Sequence, residues 1–255
     1  MRSRGCALQF FLTALFEAQC RTRPEHVVSP STRPLKPLPQ AAGQASWVDL
    51  VGASADPTRR ISGGRSINNI ERRARQIRQA LLTLASDGGQ LVEFADPSAS
   101  RHYRSFYLMN EARRDIGSAV RYAVPGVMET NVFRLDTGLL TNGWVNILED
   151  TELAFLFMVA DLQARASDSD PVPVDGQTRV GYYCLGTDGY QSYHLLERVG
   201  LLRVARPAAR RLNGTFRAAT DNPDEIEGAP LKFSIDRNGF GQAALDAVMR
   251  ALQGL

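Results

Sequence analysis

The arginine-rich segment near residue 200 is the part of this chain whose side chains best suit a definite chemical task. Six arginines and no acidic residue occur between positions 198 and 217. A guanidinium group is planar and gives bidentate hydrogen bonds to phosphates and to guanine edges. The arginines predicted to contact nucleic acid are therefore Arg198, Arg203, Arg206, Arg210, Arg211 and Arg217.

The polar residues directly before this segment suit the same partner. Gln191 matches the hydrogen-bonding edge of adenine, and Tyr190 and His194 carry donors for phosphate oxygens. Asp188 begins the same polar stretch. The pattern predicts an interface for double-stranded DNA that combines these four side chains with the six arginines.

No segment of the sequence has the pattern of a common catalytic or cofactor site. Glycine-rich phosphate loops of the Walker or Rossmann type do not occur in it. The three histidines lack metal-ligand spacing, and the three cysteines form no CxxC pair. We therefore predict no enzymatic activity, no cofactor, no metal site and no disulfide framework, in a reducing, cytoplasmic compartment.

Apolar periodicity predicts the elements that position these side chains. Tyr193, Leu196 and Val199 recur every three residues, which indicates a helix over 188–199 that ends at Gly200. Strand-like runs follow at 201–204 and 231–235, and a last helix is predicted over 241–252. Upstream, residues 151–166 are apolar on most sides, which is typical of a core helix, and residues 178–185 form a predicted short helix.

This order of elements resembles the winged-helix variant of the helix-turn-helix. The string Leu196-Glu-Arg-Val-Gly-Leu-Leu202 is similar to the place where the recognition helix of winged-helix regulators enters the first wing strand. The resemblance covers about residues 145–252. It implies a recognition helix over 188–199, an Arg-rich wing over 203–217, and DNA binding as a transcriptional regulator. A homodimer is implied as well, because one recognition helix contacts few base pairs.

The N-terminal half has a different character. A helix is predicted over 66–85, with strand-like runs at 90–94 and 103–110. Residues 21–46 contain five prolines, and residues 6–16 form an apolar, leader-like run. The predicted fold is α+β, with a disordered arm or leader over 1–46, a small helix-plus-β-hairpin region over 47–140 and a winged-helix domain over 145–255. No segment is predicted to span a membrane.

The distribution of charge leaves two alternatives open. Residues 145–255 contain eleven Lys and Arg against fifteen Asp and Glu, whereas residues 59–78 contain seven arginines and one acid. One alternative is a plasmid-type replication initiator with tandem winged helices, whose first copy would lie over 66–110, although no helix pair is predicted before Asn69. The other is a winged helix that binds a protein and no DNA. A salt-dependent affinity for DNA separates the DNA-binding hypotheses from the last one.

Overall fold

The chain forms two compact units, each with its own core. The computed structural model describes residues 6–38, 45–51, 69–99, 102–111, 120–166, 171–206 and 230–253. Helices and short antiparallel strands occur together, so the predicted α+β class is confirmed. Unit 1 is Met1–Glu129 and unit 2 is Thr130–Leu255. This boundary replaces the predicted division into 47–140 and 145–255, because residues ahead of position 47 pack into unit 1.

Unit 1 consists of helices followed by a β-hairpin. Its elements are α1 (Ala7–Arg21), α2 (Trp47–Leu50), α3 (Asn69–Ala85), β1 (Val92–Phe94) and β2 (Phe106–Leu108). Strand β1 pairs with β2 in antiparallel register, with Phe94 opposite Phe106. Ser31 also pairs with Phe106 in antiparallel fashion, so β2 lies between β1 and the segment at Ser31.

The apolar N-terminal run is a core helix of unit 1. Phe10 is fully buried, with its ring centroid 5.0 Å from that of Trp47 and 5.8 Å from that of Phe106. Ala14 and Ala18 continue the same buried stripe at four-residue spacing. The described part of residues 1–46 is therefore ordered and packed where a disordered arm was predicted, because this stripe is covered by aromatic side chains far along the chain.

Unit 2 has a helix-rich first half and a sheet near its end. Its elements are α4 (Gly138–Thr141), α5 (Trp144–Ile147), α6 (Asp150–Arg165), β3 (Val172–Pro173), a π-helical turn (Thr178–Tyr182), α7 (Thr187–Gln191), α8 (Tyr193–Arg198), β4 (Leu202–Ala205), β5 (Lys232–Ile235), a 3₁₀ turn (Arg237–Gly241) and α9 (Ala244–Gln253). Strand β5 lies between β3 and β4 and is antiparallel to both.

Helix α6 is the central helix of unit 2, as its composition predicts. Phe155 is fully buried, and its ring lies 5.2 Å from that of Phe233 on β5. The helix begins with a capping box in which the Glu149 backbone N–H donates to the Glu152 carboxylate at 2.7 Å. The N-cap is thus Glu149, because this residue closes the reciprocal pair.

The last helix faces the unit with small residues. In α9, Ala244 and Ala247 are buried, whereas Leu245 and Leu252 are 63% and 56% exposed. The apolar side chains of α9 are therefore only partly turned inward, and the helix begins three residues later than the predicted start at 241. Within the described residues, no helix is both long enough and apolar enough to span a bilayer.

The two units repeat one order of elements. Unit 2 contains α6, β3, the π-helical turn, α7–α8, β4 and β5, and its last strand lies between the other two. Unit 1 contains α1, the segment at Ser31, α2, α3, β1 and β2, and its last strand again lies between the other two partners. The first strand and α2 of unit 1 were not predicted from the sequence, because the strand consists of a single bridge and α2 has only four residues.

Candidate nucleic-acid interface

Helices α7 and α8 form the predicted recognition element in two segments. Ser192 separates them but keeps helical torsion angles (φ −56°, ψ −24°), so the chain direction does not reverse there. Gly200 adopts φ +80°, and the N–H groups of Gly200 and Leu201 donate to the carbonyls of Glu197 and Leu196. These two bonds form a Schellman motif, and they confirm the predicted helix end at Gly200. At the other end, Gly186 is the N-cap of α7, with no side-chain cap.

One side of this helix pair is exposed and polar. Gln191, His194 and Arg198 are exposed and follow one another at spacings of three and four. Asp188 is exposed in the first turn of α7. The buried side holds Leu196, which is fully inaccessible. The element therefore has the two-sided character that docking on a scaffold and contacting base edges both require.

Tyr190 lies elsewhere than the sequence analysis expected. Its ring centroid is 5.4 Å from Tyr193, 6.0 Å from Phe155 and 6.1 Å from Phe233. The Arg179 guanidinium lies 5.1 Å from the same ring. Because the ring is half-buried in this aromatic cluster, its main structural effect is to hold α7 against α6 and β5.

The two described arginines of the predicted wing are each paired with a carboxylate. Arg206 donates to both carboxylate oxygens of Glu197 on α8, at 2.7 and 2.5 Å. Arg203 on β4 donates to Asp236 at 2.8 Å. The hydrogen bond to Glu197 raises the pKa of Arg206 above its ordinary value. Each carboxylate offsets part of the positive charge that these arginines would present to a phosphate.

The remaining predicted wing residues, Arg210, Arg211 and Arg217, lie outside the described residues. Their role in DNA binding stays a prediction from the sequence.

Helix α3 in unit 1 presents a second polar face, which the list of candidate site residues left out. It occupies the place in unit 1 that α7–α8 occupy in unit 2, directly before the hairpin. Its buried stripe includes Ile77 and Leu81, and the opposite side carries Arg72, Arg75 and Gln79 at spacings of three and four. The arginine cluster over 59–78 was the signal in the sequence for this face. It could not be assigned to a fold, because α1 and α2 were not predicted.

The two units differ in charge. Unit 1 contains 18 Lys and Arg against 11 Asp and Glu, a formal charge of +7. Unit 2 contains 12 Lys and Arg against 16 Asp and Glu, a formal charge of −4. The weak total of +3 therefore combines a basic unit with an acidic one.

Neither metal ligands nor relatives point to another chemistry. Among the described residues, no group of three or more His, Cys, Asp and Glu side chains is placed to hold a metal ion. Comparison with protein-family models, with curated proteins and with solved structures gives no significant match.

Proposed function

We propose that this protein binds double-stranded DNA through two winged-helix units, one in each half of the chain. The observation that carries the proposal is the repeated order of elements, in which a helix precedes a β-hairpin whose second strand also pairs with an upstream strand. In winged helices the helix before the hairpin enters the major groove, and the hairpin lies beside it. Helix α3 and the pair α7–α8 occupy that position.

The exposed side chains of both elements support this partner. Gln191 and Gln79 are exposed amides of the type that pairs with adenine, and Arg75 and Arg198 are exposed guanidinium groups. Each element buries its opposite face in its own unit, through Leu196 in one case and residues such as Ile77 in the other. The polar faces are thus held on packed scaffolds, which fixes their direction at little further entropic cost.

The repetition favours a tandem protein, as in plasmid-type replication initiators, over a regulator with a single module. The sequence alone left the first copy without helices before Asn69, and α1 and α2 supply elements in that position. A single-module regulator would act as a homodimer on a site with two-fold symmetry. A chain with two different modules recognises two different half-sites and needs no symmetry in its target.

DNA binding by the purified full chain tests the proposal directly. Fluorescence anisotropy with random-sequence duplexes of roughly three helical turns, about 30 base pairs, is measured over a series of salt concentrations. We expect binding whose logarithm falls linearly with the logarithm of salt concentration, because phosphate contacts release counterions. Gln191→Ala/His194→Ala lowers sequence preference with little change of this slope, since it removes groups expected to contact the DNA and leaves every arginine in place.

Selection of preferred sequences then separates the two DNA-binding candidates. A selected site without two-fold symmetry, bound by one chain, supports the tandem arrangement. An inverted repeat bound by two chains supports the homodimeric regulator. If the full chain binds no duplex even at low salt, the DNA-binding proposal fails, and a protein-docking role for the same faces becomes the hypothesis to pursue.

A further inference from the structure

The exposed face of α3 is more basic than the corresponding face of unit 2. Around α3, Arg72, Arg75 and Gln79 share the side opposite the buried stripe, and the Arg75 side chain is 59% exposed. On α7–α8 the polar side holds Gln191 and Arg198 together with the acidic residue Asp188. The first face thus carries two guanidinium groups within one turn of helix, the exposed Arg75 and the half-buried Arg72, whereas the second face carries one arginine and one acid.

The Glu71 carboxylate lies close to three cations at the start of α3. Glu71 contacts Lys36 closely and lies 3.6 Å from Arg78 and 4.0 Å from Arg75. The hydrogen bond from Lys36 keeps the pKa of Glu71 below its ordinary value, so its charge is already engaged at neutral pH. At 4.0 Å and high exposure, the attraction between Glu71 and Arg75 is weak. Arg75 therefore keeps most of its capacity to bind an anion.

The hairpin of unit 1 adds positive charge next to α3. The Arg78 guanidinium lies 5.2 Å from the centroid of the Tyr103 ring, which attaches the helix to the loop before β2. Arg104, which follows Tyr103 in the chain, is exposed. In unit 2 the described arginines of the hairpin are Arg203 and Arg206, and both are paired with carboxylates.

We infer that the α3 face of unit 1, formed by Arg72, Arg75 and Gln79 with Arg104 beside it, is the principal DNA-contacting surface and supplies most of the electrostatic affinity. This inference rests on the proposed function and assigns the two units different tasks. Unit 1 holds the phosphates and enters the major groove with a basic helix. Unit 2 contributes contacts that discriminate between sequences more than they add affinity.

Paired arginine variants of the full chain test this division. Each phosphate contact contributes about 0.9 to the slope of log affinity against log salt on B-form DNA. We expect Arg72→Ala/Arg75→Ala to reduce that slope by about 2 and to lower affinity roughly tenfold or more at low salt. Arg165→Ala is the matched control, because Arg165 is also an exposed helical arginine with an acidic partner four residues earlier, Asp161, but lies in unit 2.

Two further variants separate charge from folding. Arg75→Lys keeps the cation on an exposed position and should retain the slope of the wild type. His194→Ala/Arg198→Ala on α8 should reduce the slope by at most about 1, since it removes one arginine where the α3 variant removes two. Thermal unfolding of every variant confirms that unit 1 remains folded.

The outcomes are distinct. If the wild type binds DNA and the α3 variant keeps its slope, or if the α8 variant loses more slope than the α3 variant, the inference about unit 1 is overturned while the proposed function stands. If the wild type binds no duplex at low salt, the proposed function itself fails and the inference falls with it.

Discussion

The Phe10→Ala substitution tests whether α1 belongs to the folded core of unit 1. The Phe10 ring is fully buried and lies 5.0 Å from Trp47 and 5.8 Å from Phe106. Removal of a buried phenylalanine costs about 3–5 kcal/mol, because the transfer free energy of the ring is lost and a cavity remains. With a urea m-value of about 2 kcal/mol per molar, the unfolding midpoint falls by about 1.5–2.5 M.

The two tryptophans of the chain provide the assay. Trp47 lies in unit 1 and Trp144 in unit 2, so fluorescence in a Trp144→Phe background reports the unfolding of unit 1 alone. Cys20→Ala is the control, since Cys20 is an exposed residue of the same helix and should change stability by less than about 0.5 kcal/mol.

An unchanged midpoint for Phe10→Ala would refute the reasoning. It would mean that the aromatic contacts of α1 add nothing to the stability of unit 1, as expected for a detachable leader. A loss of 3–5 kcal/mol that appears in Trp47 fluorescence would instead tie the first described helix to the same cooperative transition as α3 and the hairpin.

Four further substitutions test the geometry of unit 2. Gly239→Ala should destabilise it by about 3 kcal/mol or more, because the new methyl would lie 2.1 Å from the Gly200 carbonyl oxygen. Gly200 has φ +80° and open space where the methyl would lie, so Gly200→Ala should lower the free energy of unfolding by only about 1–2 kcal/mol. Equal losses for Gly200→Ala and Gly239→Ala in urea unfolding would contradict this difference. Burial and a hydrogen bond to a carboxylate raise the pKa of Tyr183 from 10.0 to about 12. Its contribution to stability is therefore present below pH 10 and lost as pH rises through about 12. Tyr183→Phe should remove a late component from the tyrosinate absorbance titration, and a titration that keeps this component would count against the assignment. Glu197→Gln should release Arg206 and lower the free energy of unfolding by less than about 1 kcal/mol. The slope of log DNA affinity against log salt concentration should become steeper by up to about 1. A shallower slope would argue against the proposed contact.

Local patterns in the sequence were sufficient for several elements of unit 2. The core helix α6, the helix end at Gly200 and the strand that follows it were all predicted close to their observed bounds. Each depends on interactions within a few residues, such as apolar periodicity and the freedom of glycine at positive φ. The polar face with Gln191 and His194 follows from the same periodicity.

The partners of individual side chains could not be predicted in this way. Arg203 and Arg206 are arginines in an acid-free stretch of sequence, yet Asp236 and Glu197 reach them from other elements. Tyr190 belongs to the polar face by spacing, but Phe155 and Phe233 surround its ring. Such pairings join residues that are up to 43 positions apart, as with Tyr190 and Phe233, and no local pattern encodes them.

The sequence by itself determined that the chain is a mixed α+β protein, and it located the arginines and the glycine that ends the helix. Only the tertiary structure decided that α1 is part of a core and that unit 1 repeats the order of unit 2. A leader and a buried helix can have the same apolar sequence pattern. The contacts of Phe10 with Trp47 and Phe106 are visible only in the tertiary structure. Burial and strand pairing are properties of contacts between distant segments, and folding alone brings those segments together.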